Sequence, residues 1–347
     1  MKYKNVYIRA FAYELPSKVV TSAEIEERLS PLYKRLNLPK GRLELMSGIK
    51  ERRFWPTAMM PSEGSIKAGK NALKNANLSS NDIDCIIHCS VSRDCVEPAT
   101  ASIVHEGLGL RPDAINFDIS NACLGIASGI IAGANMIELG QCSNVLLVAG
   151  ENGRPLVENT INQLLSDKTL TRKTLKPYFA SLTIGSAAVA VVLTGKDPAS
   201  KHKLIGGVAL SDTRYNNLCR GDADKAMTVD SAPQMSTDSE ELLNRGIDLA
   251  EKNWAKMKKE FSWQDDTPDI FCCHQVGRAH RNLLYSRLNI NPEKDFPTVQ
   301  FLGNCGSVSM PITVAIAEEQ GSLNSGDILA MLGIGSGINS LMLAIKY

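Results

Sequence analysis

Asp118-Ile-Ser-Asn-Ala-Cys-Leu-Gly125 is the stretch of sequence that decides the fold. It joins a strand-like segment, residues 114–119, to a long apolar stretch with helical character, residues 124–139. Cys123 therefore stands at the N-terminus of a helix, where unpaired N–H groups and the positive end of the helix dipole favour a thiolate over a thiol. We expect Cys123 to be a nucleophile that ionises readily.

The same pattern occurs a second time along the chain. Residues 298–302 form another strand-like run, and Gly303-Asn304-Cys305-Gly306 then leads into a second helical stretch. Cys123 and Asn304 are 181 positions apart, and so are Gly140 and Gly321, which end the two helical stretches. A period this long indicates domain duplication rather than a solenoid. We therefore predict two copies of one α/β unit, with Cys123 and Asn304 at equivalent helix N-termini about a pseudo-twofold axis.

Short β-branched runs alternate with longer helical stretches, which is typical of α/β proteins with buried sheets. The connection between the halves falls near residues 194–203, which are rich in Gly, Pro, Ser and Lys, so the predicted halves are residues 1–195 and 196–347. The strand-like runs include residues 6–11, 85–91, 144–151, 187–193, 270–274 and 328–333. The helical stretches include residues 62–76, 100–107, 124–139, 238–261, 279–288 and 307–319.

Composition excludes several classes of protein. The formal net charge of +1 gives no reason to expect a nucleic-acid or membrane surface. No apolar stretch reaches the roughly 18–20 residues that span a bilayer, and the N-terminus does not resemble a signal peptide. The nine cysteines are scattered, as expected for reduced thiols in a cytoplasmic enzyme.

A cysteine nucleophile needs a proton acceptor and a site for the oxyanion. His274 ends the strand-like run 270–274 and is followed by Gln275. Asn304 stands at the mouth of the second buried helix. Gly333-Ile-Gly-Ser-Gly337 offers backbone N–H groups without bulky neighbours, which suits an oxyanion hole.

Together with Ser47-Gly-Ile-Lys-Glu-Arg-Arg53, these motifs resemble the thiolase superfamily and, within it, the 3-oxoacyl-ACP synthase III-like condensing enzymes. The resemblance covers nearly the whole chain. It implies a duplicated thiolase fold of two α-β-α-β-α halves, usually a homodimer, and a catalytic triad of Cys123, His274 and Asn304. The implied oxyanion hole uses the Cys123 N–H and one N–H from Ile334 or Gly335. Coenzyme A would be the acyl carrier and leaving group, with no metal or redox cofactor.

Three departures from the family patterns narrow the assignment. The glycine loop at residues 333–337 lacks the second catalytic cysteine of a biosynthetic thiolase. Val276-Gly277 follows His274-Gln275 where a fatty-acid-initiating synthase III typically has Ala-Asn, and Met46 replaces an arginine that clamps the CoA adenine.

Glu97, 26 residues before Cys123, resembles a residue of the family branch that condenses two fatty acyl-CoA molecules head to head in long-chain olefin biosynthesis. In that branch the glutamate reaches across the dimer into the neighbouring site and acts as the base. Non-decarboxylative Claisen condensation must remove a weakly acidic α-proton, so a carboxylate whose pKa is raised by a dry pocket suits the task. The resemblance implies long-chain acyl-CoA or acyl-ACP substrates and a 2-alkyl-3-oxoacyl product.

Other interpretations stay open at this point. A decarboxylative synthase III that uses a malonyl thioester is the nearest alternative, and a non-catalytic scaffold subunit of the same fold is another. Asn304 would serve equally well as a helix cap, and Glu97, next to Pro98, as a solvated turn residue.

Metal and dinucleotide sites are disfavoured. Cys85 and Cys89, four residues apart on one predicted strand, would be ~13 Å apart and unable to share an ion. Ile338 stands where a dinucleotide fingerprint needs its third glycine.

Overall fold

The computed structural model describes residues 1–195, 202–221 and 234–347. Within these ranges the strands are β1 (Tyr7–Glu14), β2 (Lys18–Thr21), β3 (Glu51–Phe54), β4 (Cys85–His88), β5 (Ile115–Asp118), β6 (Asn144–Glu151), β7 (Ala187–Thr194), β8 (His202–Ser211), β9 (Cys219–Gly221), β10 (Met235–Thr237), β11 (Ile270–Cys273), β12 (Ile328–Gly335) and β13 (Asn339–Lys346). The α-helices are α1 (Ser22–Arg28), α2 (Ser30–Arg35), α3 (Arg42–Ser47), α4 (Pro61–Ala76), α5 (Thr100–Leu108), α6 (Gly125–Glu138), α7 (Arg154–Ser166), α8 (Ser239–Phe261), α9 (Arg278–Leu288), α10 (Val299–Leu302) and α11 (Ser309–Glu319).

The strand order of the central sheet shows the duplication directly. In the described ranges the order is β11-β12-β13-β8-β1-β7-β6-β4-β5. In the first half, β6 pairs parallel with β4 and antiparallel with β7, and β7 pairs antiparallel with β1. In the second half, β12 pairs parallel with β11 and antiparallel with β13, and β13 pairs antiparallel with β8. The first strands of the two halves, β1 and β8, pair with each other at the centre.

Five layers follow from the alternation of side chains along the strands. Helices α6 and α11 pack between the inner faces of the two half-sheets, where they share one apolar core. Helices α4 and α5 cover the outer face of the first half-sheet, and α8 and α9 cover the outer face of the second. Strand β4 shows the period of two, because Cys85 and Ile87 face α6 while Ile86 faces the outer layer.

The predicted equivalence of the two helices is visible at both of their ends. Each is preceded by a 3₁₀ turn, Ala122–Leu124 before α6 and Gly306–Val308 before α11. Each is followed by a glycine in the left-handed region, Gly140 at φ +71° and Gly321 at φ +69°, a conformation that glycine adopts without steric cost.

The described part of the second half has no strand that corresponds to β5, and the predicted strand at residues 298–302 is wrong. This segment forms the short helix α10. The side chain of Gln275 accepts hydrogen bonds from the N–H groups of Thr298 and Val299 at 2.9 and 3.0 Å, which ties the start of the segment to the end of β11. One parallel bridge between Phe271 and Asp295 is the remnant of strand pairing here.

The predicted boundary between residues 195 and 196 lies at the edge of the described residues, and residues 196–201 of the predicted linker lie outside them. Among the helices of the described ranges, none has both the length and the apolar character required to cross a membrane.

Helix α6 approaches the first half-sheet through glycines spaced four residues apart. A Cβ atom on Gly125 would lie 1.9 Å from the carbonyl oxygen of Cys89, and one on Gly129 would lie 2.6 Å from the Cys89 sulfur. The atom that a Cβ on Gly125 would meet belongs to the backbone, so no flexible side chain can move aside there. This close approach fixes the height of the Cys123 turn above β4.

We expect Gly125→Ala to destabilise the protein by about 1–3 kcal/mol, because α6 must move away from β4 to admit the methyl group. The measurement is the urea midpoint followed by circular dichroism. Gly195→Ala is the matched control, since its Cβ would meet Ile137 at an ordinary 3.7 Å. Equal midpoints for the two variants would contradict the packing argument.

Candidate active site

The Cys123 turn is held by residues from both halves. Cys123 is half-buried in the 3₁₀ turn that precedes α6. The side chain of Asn121 donates to the Ser128 hydroxyl on α6 at 2.9 Å and accepts from the Asn339 side chain on β13 at 3.0 Å. The nucleophile candidate therefore has a position fixed across the interface between the halves.

The end of β12 passes close to this turn. A Cβ atom built on Gly335 would lie 3.7 Å from the backbone nitrogen of Cys123 and 3.0 Å from Cγ of Leu124. The side chain of Ile334 packs on the other side of the strand, where its Cγ2 lies 3.1 Å from the Cβ position of Gly246 on α8. Gly335 thus lets the backbone reach the Cys123 N–H, as a two-donor oxyanion hole requires.

His274 follows directly after β11. Its backbone N–H donates to the carbonyl of Leu332 at 2.9 Å, so the histidine lies beside the glycine-containing end of β12. Its side chain is buried, and Nδ1 makes no hydrogen bond to any described residue. Gln275 anchors the segment, because its amide nitrogen also donates to the carbonyl of Phe296 at 2.9 Å.

Asn304 begins the turn that leads into α11. Its backbone N–H donates to the Thr183 carbonyl at 3.0 Å, and its carbonyl accepts from Gly185 N–H at 2.9 Å. Its side-chain oxygen accepts from the Gly306 N–H at 3.0 Å and from the Ser309 hydroxyl at 3.4 Å. The side chain therefore caps the turn through Oδ1, which leaves the Nδ2 amide as the group that can donate to a substrate.

The elements that carry these three residues meet at one place. The Ala122–Leu124 turn contacts the Gly306–Val308 turn and β12. A Cβ on Gly125 would lie 3.3 Å from Cβ of Ser307, which measures how closely the two turns approach. The backbone of His274 is bonded to β12 itself. The backbone segments that carry Cys123, His274 and Asn304 are therefore adjacent at the entrances of α6 and α11.

Glu97 is exposed in the single chain. It belongs to the exposed segment 91–99, which we call the arm, and no hydrogen bond or ion pair joins its side chain to any described residue. The arm is anchored at its base. Asp94 accepts from the Ser62 N–H at 2.9 Å, and Asp118 accepts from the Thr100 and Ala101 N–H groups that follow the arm.

The expectation that Cys123 ionises readily is wrong. Burial raises the pKa of the Cys123 thiol to about 12, with further increases from Cys219 and from the negative charge of Glu151, while one backbone hydrogen bond lowers it. The helix N-terminus is present, but loss of solvent outweighs it because desolvation penalises the charged form.

His274 is neutral over the physiological range. Burial, followed by the neighbouring His280, lowers the pKa of the His274 imidazole to about 3, and burial lowers the pKa of His280 to about 4. The site therefore holds a neutral thiol and a neutral imidazole rather than a thiolate–imidazolium ion pair.

Three residues of the site were not identified from the sequence. Cys219, on β9, and His280, on α9, influence the pKa values of Cys123 and His274. Neither carries a sequence signal, because the contact depends on tertiary packing. Glu151, which is 5% exposed, ends strand β6 after the apolar run of residues 145–150. A carboxylate at the end of a fully buried strand is rare, and that signal was available.

No group of three or more His, Cys, Asp or Glu side chains in the described ranges is arranged to hold a metal ion. All nine cysteines are free thiols.

Comparison with known proteins gives matches along the whole chain. Residues 117–212 match the family model "3-Oxoacyl-[acyl-carrier-protein (ACP)] synthase III", and residues 259–347 match its C-terminal companion. The "Acyl-CoA:acyl-CoA alkyltransferase" of Shewanella oneidensis is 42% identical over 351 residues, which covers 100% of both chains. The protein of that name from Xanthomonas campestris is 36% identical, again over 100% of both chains.

Solved structures of Xanthomonas campestris OleA have the same fold. The one with bound lauric acid and lauroyl-CoA superimposes with a TM-score of 0.93 at 35% identity, covering 99% of this chain and 100% of that chain. The fold predicted from the sequence, a duplicated thiolase fold, is confirmed. The series includes variants in which one glutamate or one cysteine is replaced by alanine, and those two residues are 26 positions apart.

The pKa of Cys123 makes a testable difference to its alkylation. With a pKa of about 12, the thiolate fraction is far below half, so we expect the rate of labelling by iodoacetamide to rise about tenfold per pH unit from pH 6 to pH 9. Peptide mass spectrometry isolates the Cys123 signal. The urea-unfolded chain is the control. Its thiols have an ordinary pKa of about 8.5, so its rate of labelling levels off as the pH passes that value. A plateau at pH 7 in the folded protein would indicate an ion pair with His274.

Proposed function

Because the chain belongs to the acyl-CoA:acyl-CoA alkyltransferase family of thiolase-fold condensing enzymes, we propose that it joins two long-chain fatty acyl-CoA molecules by non-decarboxylative Claisen condensation. The product is a 2-alkyl-3-oxoacyl thioester, or the acid after hydrolysis, and coenzyme A is released. The prediction that the chain is a condensing acyltransferase is confirmed by this membership. The observation that carries the proposal is an intact nucleophile turn meeting His274 and the Asn304 turn in a chain that aligns end to end with alkyltransferases.

The first half-reaction loads the enzyme. The Cys123 sulfur attacks the thioester carbonyl while its proton passes to His274, whose neutral imidazole is able to accept it. The oxyanion accepts hydrogen bonds from the N–H groups of Cys123 and of Gly335 or Ile334. Collapse forms acyl-Cys123, and coenzyme A leaves with the proton that His274 held.

The second half-reaction forms the carbon–carbon bond. Glu97 removes an α-proton from the second acyl-CoA, and the enolate oxygen is stabilised by Asn304 Nδ2 and by His274. The enolate carbon attacks acyl-Cys123, the carbon–sulfur bond breaks, and the departing Cys123 sulfur recovers the proton from Glu97. No carbon dioxide is lost, so a base of this kind is indispensable. The equal separation of glutamate and cysteine in Xanthomonas campestris OleA supports Glu97 in this role.

We place Glu97 in the active site of a second copy of the chain, which makes the enzyme a homodimer. Strand β5 is an edge strand in the described sheet, pairs there with β4 alone, and carries Ile115 at 49% exposed. Val91 and Val96 of the arm are 54% and 52% exposed. An uncovered edge with apolar neighbours invites pairing with another chain. A partner seated on β5 would cover these groups and receive the arm.

No metal or redox cofactor is needed by these steps, since coenzyme A serves as carrier and leaving group. Free thiols throughout suit a reducing cytoplasmic compartment. The branched 3-oxoacyl product suits long-chain hydrocarbon biosynthesis, and an acyl carrier protein in place of coenzyme A is the alternative donor.

A decarboxylative synthase III and a non-catalytic scaffold are separated from this proposal by one assay. We expect purified protein with myristoyl-CoA alone to give the condensed 3-oxo product by mass spectrometry. Glu97→Gln should still form acyl-Cys123 but condense about 100-fold more slowly or worse, because it loses its general base. Cys123→Ala is the control for the adduct. Strict dependence on malonyl-CoA would establish the decarboxylative enzyme, and absence of any adduct would establish the scaffold.

Mixed dimers test whether Glu97 acts across the interface. One tagged chain carries Cys123→Ala and the other carries Glu97→Gln, so each homodimer is inactive. If the arm serves the partner, the mixed dimer has one complete site and recovers roughly half of the wild-type activity per dimer, as effects of separate sites add. If Glu97 served its own chain, the mixed dimer would have no complete site and would stay inactive.

A further inference from the structure

The side chain of Glu151 is hydrogen-bonded to two segments of the chain, and each segment carries a different proposed catalytic residue. Its Oε1 accepts hydrogen bonds from the Val91 N–H at 2.8 Å, the Ser307 hydroxyl at 2.7 Å and the Ser307 N–H at 3.2 Å. Its Oε2 accepts from the Ser92 N–H at 3.0 Å. Val91 and Ser92 begin the arm that carries Glu97, and Ser307 lies in the turn that Asn304 caps.

The fit around this carboxylate is close on the Asn304 side. A Cβ atom on Gly306 would lie 3.0 Å from Oε1 of Glu151, so the turn rests directly on the carboxylate, and Gly306 has a φ of +54°. Gly306 is also the residue whose N–H holds the side-chain oxygen of Asn304. Glu151 is therefore linked to the Asn304 side chain through two hydrogen bonds of one turn: Ser307 donates to Glu151, and Gly306 donates to Asn304.

The chemistry of the four contacts requires an acceptor with two oxygens. All four hydrogen bonds to the Glu151 side chain are donated to it, and a carboxylate accepts at both oxygens whereas an amide accepts at one. The carboxylate is buried at the end of β6, one of the central strands of the sheet, so its own position is rigid. The negative charge also reaches Cys123, whose thiol it helps to keep neutral.

We propose that Glu151 is a positioning residue that fixes the Asn304 turn of its own active site and the base of the arm that serves the partner's site. The inference rests on the proposed function, in which Glu97 acts in the neighbouring subunit. Glu151 then fixes the position of the Asn304 amide in its own active site and of the Glu97 carboxylate in the partner's site.

The first test separates positioning from general stability. We expect Glu151→Gln to lower the rate of condensation about 100-fold, since a displacement of ~1 Å at a reacting group has that effect, while acylation of Cys123 stays within about threefold. Glu26→Gln is the matched control, because Glu26 is also buried and accepts from the N–H groups of Gly41 and Leu43. It should lower the thermal midpoint without changing the ratio of condensation to acylation. An unchanged ratio in Glu151→Gln would overturn the proposal.

The second test assigns each side of Glu151 to a subunit. In the mixed dimer described above, Glu151→Gln is added either to the Cys123→Ala chain, which donates the arm, or to the Glu97→Gln chain, which holds the working nucleophile. The amide oxygen can still accept from the three donors at the Oε1 position, so the loss falls on Ser92 and the effect should come from the arm-donating chain. Ser307→Ala should act from the nucleophile chain instead. Effects confined to the nucleophile chain for both variants would refute the arm side of the proposal.

Hydrogen exchange distinguishes failure of this inference from failure of the proposed function. In a homodimer whose sole substitution is Glu151→Gln, the amide of Ser92 should exchange faster, because it loses its acceptor. The amides of Thr298 and Val299, held by Gln275, should not change. If the reference mixed dimer is inactive, the cross-subunit role of Glu97 fails, yet faster exchange at the arm still supports Glu151 as its anchor. Unchanged exchange at the arm overturns the inference whatever the enzyme assays give.

Discussion

The approach of α6 to β4 is the constraint on which the site depends. Gly125 leaves no space for a side chain between the helix and the carbonyl of Cys89, so the turn before the helix can occupy only one height above the sheet. The duplicated turn before α11 meets it there through Ser307. Packing of two helices between two sheets thus converts a sequence repeat into a pair of facing turns. The chemistry of the site is then decided by which side chain each copy places at its turn.

A dry site of this kind has an electrostatic consequence. Burial raises the pKa of Cys123 to about 12 and lowers the pKa of His274 to about 3, so both groups rest uncharged. A neutral pair is competent to pass one proton during attack on a thioester, which is a reactive acyl donor. The imidazole is a poor base for the α-proton of an acyl-CoA, because its low pKa gives little driving force for proton transfer from carbon. Removal of that proton is better assigned to a carboxylate from outside the pair.

Much of this arrangement is predictable from the sequence because it is local. Strand β6 has the predicted bounds of residues 144–151, and α4 begins one residue before the predicted start, since apolar runs and a proline-marked helix start fix both. The prediction of a strand at residues 298–302 was wrong because the conformation of this segment depends on the side chain of Gln275, which is distant in sequence. The prediction that the Cys123 thiol has a lowered pKa was wrong for a related reason. The dipole of a helix is visible in sequence, whereas the loss of solvent around a sulfur depends on everything packed over it.

In the proposed dimer, the arm presents a base that is exposed in its own chain yet carried on an anchored segment. The side chain of Glu97 makes no hydrogen bond or ion pair with the described residues, but the segment that carries it is anchored through Asp94, Asp118 and Glu151 to a helix start, an edge strand and a central strand. In the proposed dimer, this anchoring would reduce the conformational entropy lost when Glu97 is ordered in the partner. A glutamate on an unanchored loop of the same length would lose that advantage, so under the proposed function the buried carboxylate at the end of β6 contributes to the reaction through the segment that it holds.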